Sequence, residues 1–332
     1  MKILVIQTAS IGDVILATAL LEKLHEFYPS ADLDFLVKKG NEQLFDSHPY
    51  LHELLVWDKK HDKRKNLRTL ISKVRATRYD VVVNVQRFFS TGKIVALSKA
   101  TQRFGFRKNP LSVFYTKSFP HSIGTKGKHY LHEVERNQQL IAGITDEKPA
   151  HIRLYPSAEQ YQKVSKYKTE KYICVAPASL WFTKQFPQHK WVEFLNQLPN
   201  NLQVYLLGGK NEVPLCDELI SLCPTKKLKN LAGELSLLES AAIMRDASMN
   251  YVCDSSPMHL ASSVDAPTTA IFCSTIPEFG FGPKSTDSCV VQERENLSCR
   301  PCGLHGHKTC PKGNFLCAEN IKVQELLSRL PK

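Results

Sequence analysis

The chain has 332 residues, enough for two ordinary domains at about 150 residues each. With 42% apolar and 23% charged residues, its composition is that of a soluble globular protein, which excludes disordered, collagenous and membrane-spanning classes. Lys plus Arg is 44 against 32 Asp plus Glu, a formal charge of +12 that favours anionic partners (nucleotide phosphates, nucleic acid, an anionic membrane face) beside the plain reading of surface lysine for solubility.

The opening MKILVIQTASIGD holds an apolar stretch too short for a signal segment, interrupted by Gln7, Gly12 and Asp13. No apolar run approaches the ~20 residues of a membrane span. A cytoplasmic location is expected, and ten cysteines there argue against a disulfide framework.

In chain order, residues 3–7 read as a buried parallel strand, followed by a turn at 8–12 and a helix over 13–27 that Pro29 stops. Strands are predicted at 32–37 and 54–57, a basic helix within 59–78, and a very apolar strand at 80–85. Residues 110–128 read as loop, 129–142 as helix, and 145–168 as the linker region. A second alternation follows: strands at 172–175, 203–207, 249–253 and 268–272, and helices at 187–198, 213–223, 237–246 and 257–264. Ser236 with Glu239 forms a predicted capping box, and a last helix is predicted over 318–330. The alternation argues an α/β fold of two Rossmann-like domains, 1–160 and 161–332, with ligands at the carboxyl ends of the strands.

Four segments carry candidate chemistry. The turn Thr8–Asp13, with Ser10 and Gly12, lets backbone pass close to a ligand, and Asp13 reads either as a general base or as an acid favoured by the helix start. The loop 177–187, containing Ser179, Thr183 and Lys184, follows a strand, so Lys184 reads as a phosphate-holding lysine or a solvated one. Asp254-Ser255-Ser256-Pro257-Met258-His259 joins a strand to a helix N-terminus: an anion site, or a simple serine cap beside a buried histidine. Cys299, Cys302, Cys310 and Cys317 have the look of a structural tetrahedral zinc site, the other reading being a loop of reduced thiols or disulfides formed on isolation. No Walker A, GxGxxG, HExxH or GxSxG pattern is present.

The segments ILVIQTASIGDVILATALLEKL, APASLWFTKQFPQHKWVEFL and LAGELSLLESAAIMRDASMNYVCDSSPMHLASSVDAPTTAIFCST, in this order and spacing, resemble the lipopolysaccharide heptosyltransferases, the ADP-heptose family of glycosyltransferases. The cysteine segment SCRPCGLHGHKTCPKGNFLC resembles one found in many members. The resemblance implies the GT-B fold, two Rossmann-like domains facing across a cleft. The first would bind acceptor and the second nucleotide sugar, with the last helix packing back on the first. It implies inversion at the anomeric carbon with no catalytic cofactor or metal. Asp13 matches the catalytic aspartate, Lys184 the diphosphate-binding lysine, and Asp254, Ser255, Ser256 and His259 the donor segment, where Ser256 replaces a Gly. Glu212, after Gly208-Gly209, stands for an acidic residue that contacts the nucleoside.

The expected activity is transfer of heptose from ADP-heptose to a lipopolysaccharide core or related glycolipid. The expected partners are a nucleotide-sugar donor, an anionic glycolipid acceptor and, transiently, the inner membrane surface. Ser10, Gly12, Arg87, His132 and Arg136 are the candidate acceptor-side residues in a strongly basic first half. The alternatives are another nucleotide-sugar donor on the same fold, or a non-catalytic nucleotide-sugar or nucleic-acid binding protein. Nucleic acid is not expected, because no recognisable binding motif is present.

Overall fold

A computed structural model describes residues 1–128 and 130–331. The chain divides into two compact units, Met1–Ile123 with Leu131–Tyr155, and Gly124–Tyr130 with Pro156–Lys332.

In the first unit, β1 (Lys2–Ile6), α1 (Ile11–Phe27), β2 (Asp32–Lys38), β3 (Glu53–Trp57), α2 (Lys63–Thr77), β4 (Val81–Asn84), α3 (Phe89–Leu97), β5 (Gln102–Phe106), β6 (Lys117–Phe119) and α4 (Glu133–Gln138) follow in order. The sheet is parallel throughout, in the order β3-β2-β1-β4-β5-β6. Ile3 to Ile6 are fully buried, as a central strand covered on both faces requires. Helix α1 is buried almost all round from Val14 to Leu21 because it lies between this sheet and α4.

The second unit runs α5 (Ala158–Ser165), β7 (Tyr172–Ala176), α6 (Gln188–Gln197), β8 (Gln203–Leu206), α7 (Val213–Leu222), β9 (Leu228–Asn230), α8 (Leu237–Arg245), β10 (Asn250–Cys253), α9 (Ser256–Ser263), β11 (Thr268–Phe272), β12 (Ser288–Gln292), α10 (Leu316–Glu319) and α11 (Val323–Leu327). Its sheet is again parallel, in the order β12-β11-β10-β7-β8-β9. Strand order reverses between β1 and β4 in one unit and between β7 and β10 in the other, the places where such sheets bind ligands.

Several expectations are corrected. The unit boundary falls after Tyr155, not at 160, because α5 packs on α8. Residues 124–130 also belong to the second unit. The last helix is broken into α10 and α11, and α11 contributes to the second unit's core. Leu326 is fully buried there, its carbonyl accepts from the Tyr251 hydroxyl at 3.1 Å, and α11 lies on α6. The helix predicted over 129–142 is confined to α4, with His129 outside the described residues. Helix α3 and strand β5 were missed, as were the short strands β6, β9 and β12. Helix α3 lacks a side-chain cap and contains Gly92, so it gives neither start signal nor propensity. That glycine is required: a Cβ there would lie 2.2 Å from the Asn109 side-chain oxygen.

Candidate functional site

In the first unit the turn after β1 is held from all sides. Ser10 caps α1, and Asp13 answers from the third helical position. The Asp13 carboxylate accepts from the Ser10 backbone N–H at 3.2 Å and from its hydroxyl. Asp13 is half-buried, while Gly12 is buried beside it. The Lys59 ammonium donates to the Thr8 carbonyl and hydroxyl, both at 2.8 Å, and Asn41 donates to the Ala9 carbonyl at 3.2 Å. Burial first, then the neighbouring charges of Lys38 and Lys63, push Lys59 down to about 8. Gln86 donates to Gln7, joining the loops after β4 and β1 across the point where strand order reverses. Lys59, Asn41 and Gln86 were not legible in the sequence as site residues. Each lies just after a strand, the only signal that could have found them.

The other first-unit candidates divide. Arg87 is exposed directly after β4. His132 is buried, caps α4, and accepts from the Val134 N–H at 3.2 Å. Arg136 is buried and engaged by the protein itself. It is 1% exposed, donates to Glu133 at 2.7 Å and to the carbonyls of Leu131 and Ser122. Burial raises the Glu133 pKa, but His121 and Arg136 outweigh it and hold the carboxyl below its usual range.

In the second unit the Lys184 ammonium lies 2.7 Å from the Asp254 carboxylate, which also accepts from the Thr275 hydroxyl at 2.6 Å. Lys184 closes the 3-10 turn Phe182–Lys184 beyond β7, and Asp254 directly follows β10. Ser255 occupies the cap position of α9 without capping it: its hydroxyl donates to the Ala178 carbonyl at 3.2 Å. The first-turn N–H groups of α9 therefore have no side-chain cap, which corrects the serine-cap reading. Ser256 is the first residue of α9 and is not among the positive-φ residues, so its Cβ causes no backbone strain. His259 is 6% exposed, and its Nδ1 has no hydrogen-bond partner among the described residues. Burial dominates and lowers it to about 4, so the ring is neutral.

Thr183 is buried within the loop network of the second unit. It is 1% exposed, and its hydroxyl donates to the His307 carbonyl at 3.3 Å while accepting from the His307 N–H at 2.7 Å and the Ser274 hydroxyl at 3.0 Å. Gly306, with φ +76°, makes this possible, since a Cβ would lie 2.8 Å from the Thr183 hydroxyl and 3.0 Å from Lys184 Cγ. Arg300 fixes the same loops by donating to the carbonyls of Phe272, Cys273, Thr275 and Glu293. The Ser179 carbonyl accepts from Gln185 at 2.6 Å, and Glu212 turns back to accept from the Gly209 N–H at 2.7 Å.

The zinc expectation is not met. Cys299, Cys302, Cys310 and Cys317 line one cavity of about 280 Å³, yet among the described residues no three His, Cys, Asp or Glu side chains are grouped to hold a metal ion. Two of the four thiols, Cys302 and Cys310, bond to backbone. Burial raises Cys310, but the N–H groups of Phe315, Lys312, Gly313 and Asn314 outweigh it and lower its pKa. Cys302 donates to the Cys299 carbonyl at 3.2 Å. All ten cysteines are free thiols.

The family described as glycosyltransferase family 9 (heptosyltransferase) matches residues 67–310. The chain belongs to this family. It is 28% identical over 283 residues to lipopolysaccharide heptosyltransferase 3 of Escherichia coli K12, covering 80% of each chain. It is 24% identical over 328 residues to lipopolysaccharide heptosyltransferase 1 of Pseudomonas aeruginosa, covering 91% of this chain and 86% of the relative. Among solved structures, E. coli ADP-heptose lps heptosyltransferase II aligns with TM-score 0.80 at 20% identity, over 99% of this chain and 97% of that one. E. coli WaaC with ADP-2-deoxy-2-fluoro heptose aligns with TM-score 0.73 at 19% identity, over 99% of both. As a family 9 member the chain is a glycosyltransferase of the heptosyltransferase kind, with the two-domain GT-B fold of these structures. Among the described residues no helix is long and apolar enough to cross a membrane.

Proposed function

We propose that this heptosyltransferase moves heptose from ADP-heptose to a lipopolysaccharide core acceptor with inversion at the anomeric carbon. The observation that carries the reading is the Lys184–Asp254 pair beside the uncapped start of α9, at the β7–β10 reversal. An ammonium with three donors and a helix start with open N–H groups suit a nucleoside diphosphate, and Asp254 uses only one of those donors. The relative solved with an ADP-heptose analogue supports this donor.

The second unit is assigned the donor and the first the acceptor. Asp13, its carboxylate oriented by Ser10, takes the proton from the attacking acceptor hydroxyl. The acceptor oxygen bonds to the anomeric carbon as the carbon–oxygen bond to the diphosphate breaks. Lys184 and the α9 N–H groups stabilise the charge that develops on ADP. His259, neutral and with an unpartnered Nδ1, supplies a further hydrogen bond to the donor. Ser179, Ser255, Ser256 and Glu212 border the donor, and Arg87, Ser10 and Gly12 border the acceptor. The diphosphate charge is met by protein groups, so transfer proceeds without a catalytic metal. The enzyme works from the cytoplasm, at the inner face of the membrane that carries its acceptor.

The test is incubation with ADP-heptose and a core acceptor lacking the added heptose, read by mass. A one-heptose increment that persists in excess chelator is expected. Failure with ADP-heptose but transfer from another nucleotide sugar would move the assignment to that donor.

A further inference from the structure

Four large apolar side chains stand exposed on the loops that follow β4 and β5. Phe88 is 62%, Phe89 58%, Val113 82% and Phe114 52% exposed. They lie on adjoining segments: Phe88 and Phe89 open α3, and the 3-10 turn Ser112–Phe114 packs against it. Solvent-exposed apolar residues are ordinary when scattered, but a contiguous group marks an interaction surface.

The exposure is built into the structure. Asn109 is 1% exposed, and its amide donates to the Gln86 carbonyl at 3.1 Å and the Phe88 carbonyl at 3.0 Å, tying the two loops together. Asn84 donates to the Tyr115 hydroxyl at 2.8 Å beneath them. Gly92 leaves the space that Asn109 fills. A buried polar clamp thus holds the aromatic side chains outward.

Charge identifies what covers them. Residues 81–132 contain nine Lys and Arg and no Asp or Glu at all. Arg107 and Lys108 are exposed within the second loop, and Lys93 is exposed between Phe89 and Leu97 at four-residue spacing along the outer face of α3. A lysine between two apolar side chains can lay its stem on a lipid surface and keep its charge at the headgroups. Protein interfaces, by contrast, are poor in lysine.

We propose that the loops after β4 and β5 form a docking surface for an anionic phospholipid bilayer, the aromatic residues entering the headgroup region and the cations pairing with lipid phosphates. The surface stands at the carboxyl ends of β4 and β5, the same sheet edge that carries Asp13 after β1. A lipid-linked acceptor would therefore meet the protein with its sugars toward that edge. This last point rests on the function proposed above; binding to the bilayer does not.

The test is co-sedimentation of the full chain with vesicles of phosphatidylcholine alone or with phosphatidylglycerol, at low and high salt, without donor or acceptor. Binding is expected only to vesicles containing phosphatidylglycerol, weakening with salt. The double substitutions F88S/F89S and V113S/F114S should each reduce partitioning roughly ten-fold or more while leaving the thermal melt unchanged. V113S/F114S should also keep its kcat/KM on a delipidated acceptor and lose it on a vesicle-embedded one. Equal binding to neutral vesicles, no binding by the native chain, or native binding by a folded V113S/F114S would overturn the surface. So would a native dimer that this variant turns into a monomer. Heptose transfer without vesicle binding would sink the surface and leave the function standing; vesicle binding without transfer would do the reverse.

Discussion

The Lys184 ammonium and the Asp254 carboxylate meet at 2.7 Å because β7 and β10, which lead to them, are hydrogen-bonded neighbours. The pair straddles the strand-order reversal of the second sheet, as Gln7 and Gln86 straddle that of the first. Lys184→Ala leaves Asp254 with Thr275 as a partner, so the fold should persist. Loss of a charge-stabilising group should lower kcat/KM by roughly 10²–10³. A change smaller than about three-fold, measured on the two-substrate reaction, would remove Lys184 from the chemistry.

Asp13 has a structural role and a proposed catalytic one, and two substitutions separate them. Asp13→Asn keeps a side chain able to accept from the Ser10 N–H, so stability should fall by less than about 1 kcal/mol. Activity should fall by roughly 10²–10⁴, since an amide cannot take the proton. Ser10→Ala should reverse the weighting, with a cap loss of about 1 kcal/mol and a modest rate change. Near-normal turnover by Asp13→Asn would refute the base.

Gly306→Ala places a Cβ at φ +76°, 2.8 Å from the Thr183 hydroxyl and 3.0 Å from Lys184 Cγ. The left-handed backbone alone costs about 1–2 kcal/mol for a residue with a Cβ. Thermal melting should show that loss, and the KM for donor should rise as Lys184 is displaced. A native melt and KM would show that the loop yields freely.

His259 makes stability depend on pH. Its folded pKa of about 4 lies below the ordinary histidine value, so the unfolded chain takes up a proton that the folded chain refuses. The contribution is fully present above about pH 6.5 and is lost progressively as pH falls towards 4, roughly 3 kcal/mol in all. His48 is lowered to about 4 by burial as well, so the readout is the difference between native protein and His259→Gln in urea unfolding. Parallel curves for the two would show that His259 does not carry the effect.

Arg136→Ala leaves Glu133 and His121 buried without their guanidinium. Breaking such a buried pair costs about 3–5 kcal/mol, so the melting temperature should drop sharply. A soluble, native-melting variant with weakened acceptor binding would restore the acceptor role that its burial argues against.

The sequence by itself determined the α/β class, the central strands and the order of the chemical segments. Those signals are local: unbroken apolar runs such as residues 3–6 and 81–83, and cap pairs such as Ser236 with Glu239, whose reciprocal bonds are formed. It carried Asp13, Lys184 and Asp254 as residues placed just after strands. Short edge strands such as β9 and β12 were invisible because half-exposed residues give weak alternation. Only the tertiary structure shows which candidates are buried and bonded within the protein. Arg136 and Thr183 look like ligand-binding side chains in one dimension, but in the fold both are buried and bonded to protein groups, which offsets the cost of burying them. Lys59, Gln86, Arg300 and Gly306 entered the site for the converse reason. Their roles depend on distances across the fold, and strand order, which no local pattern encodes, sets those distances.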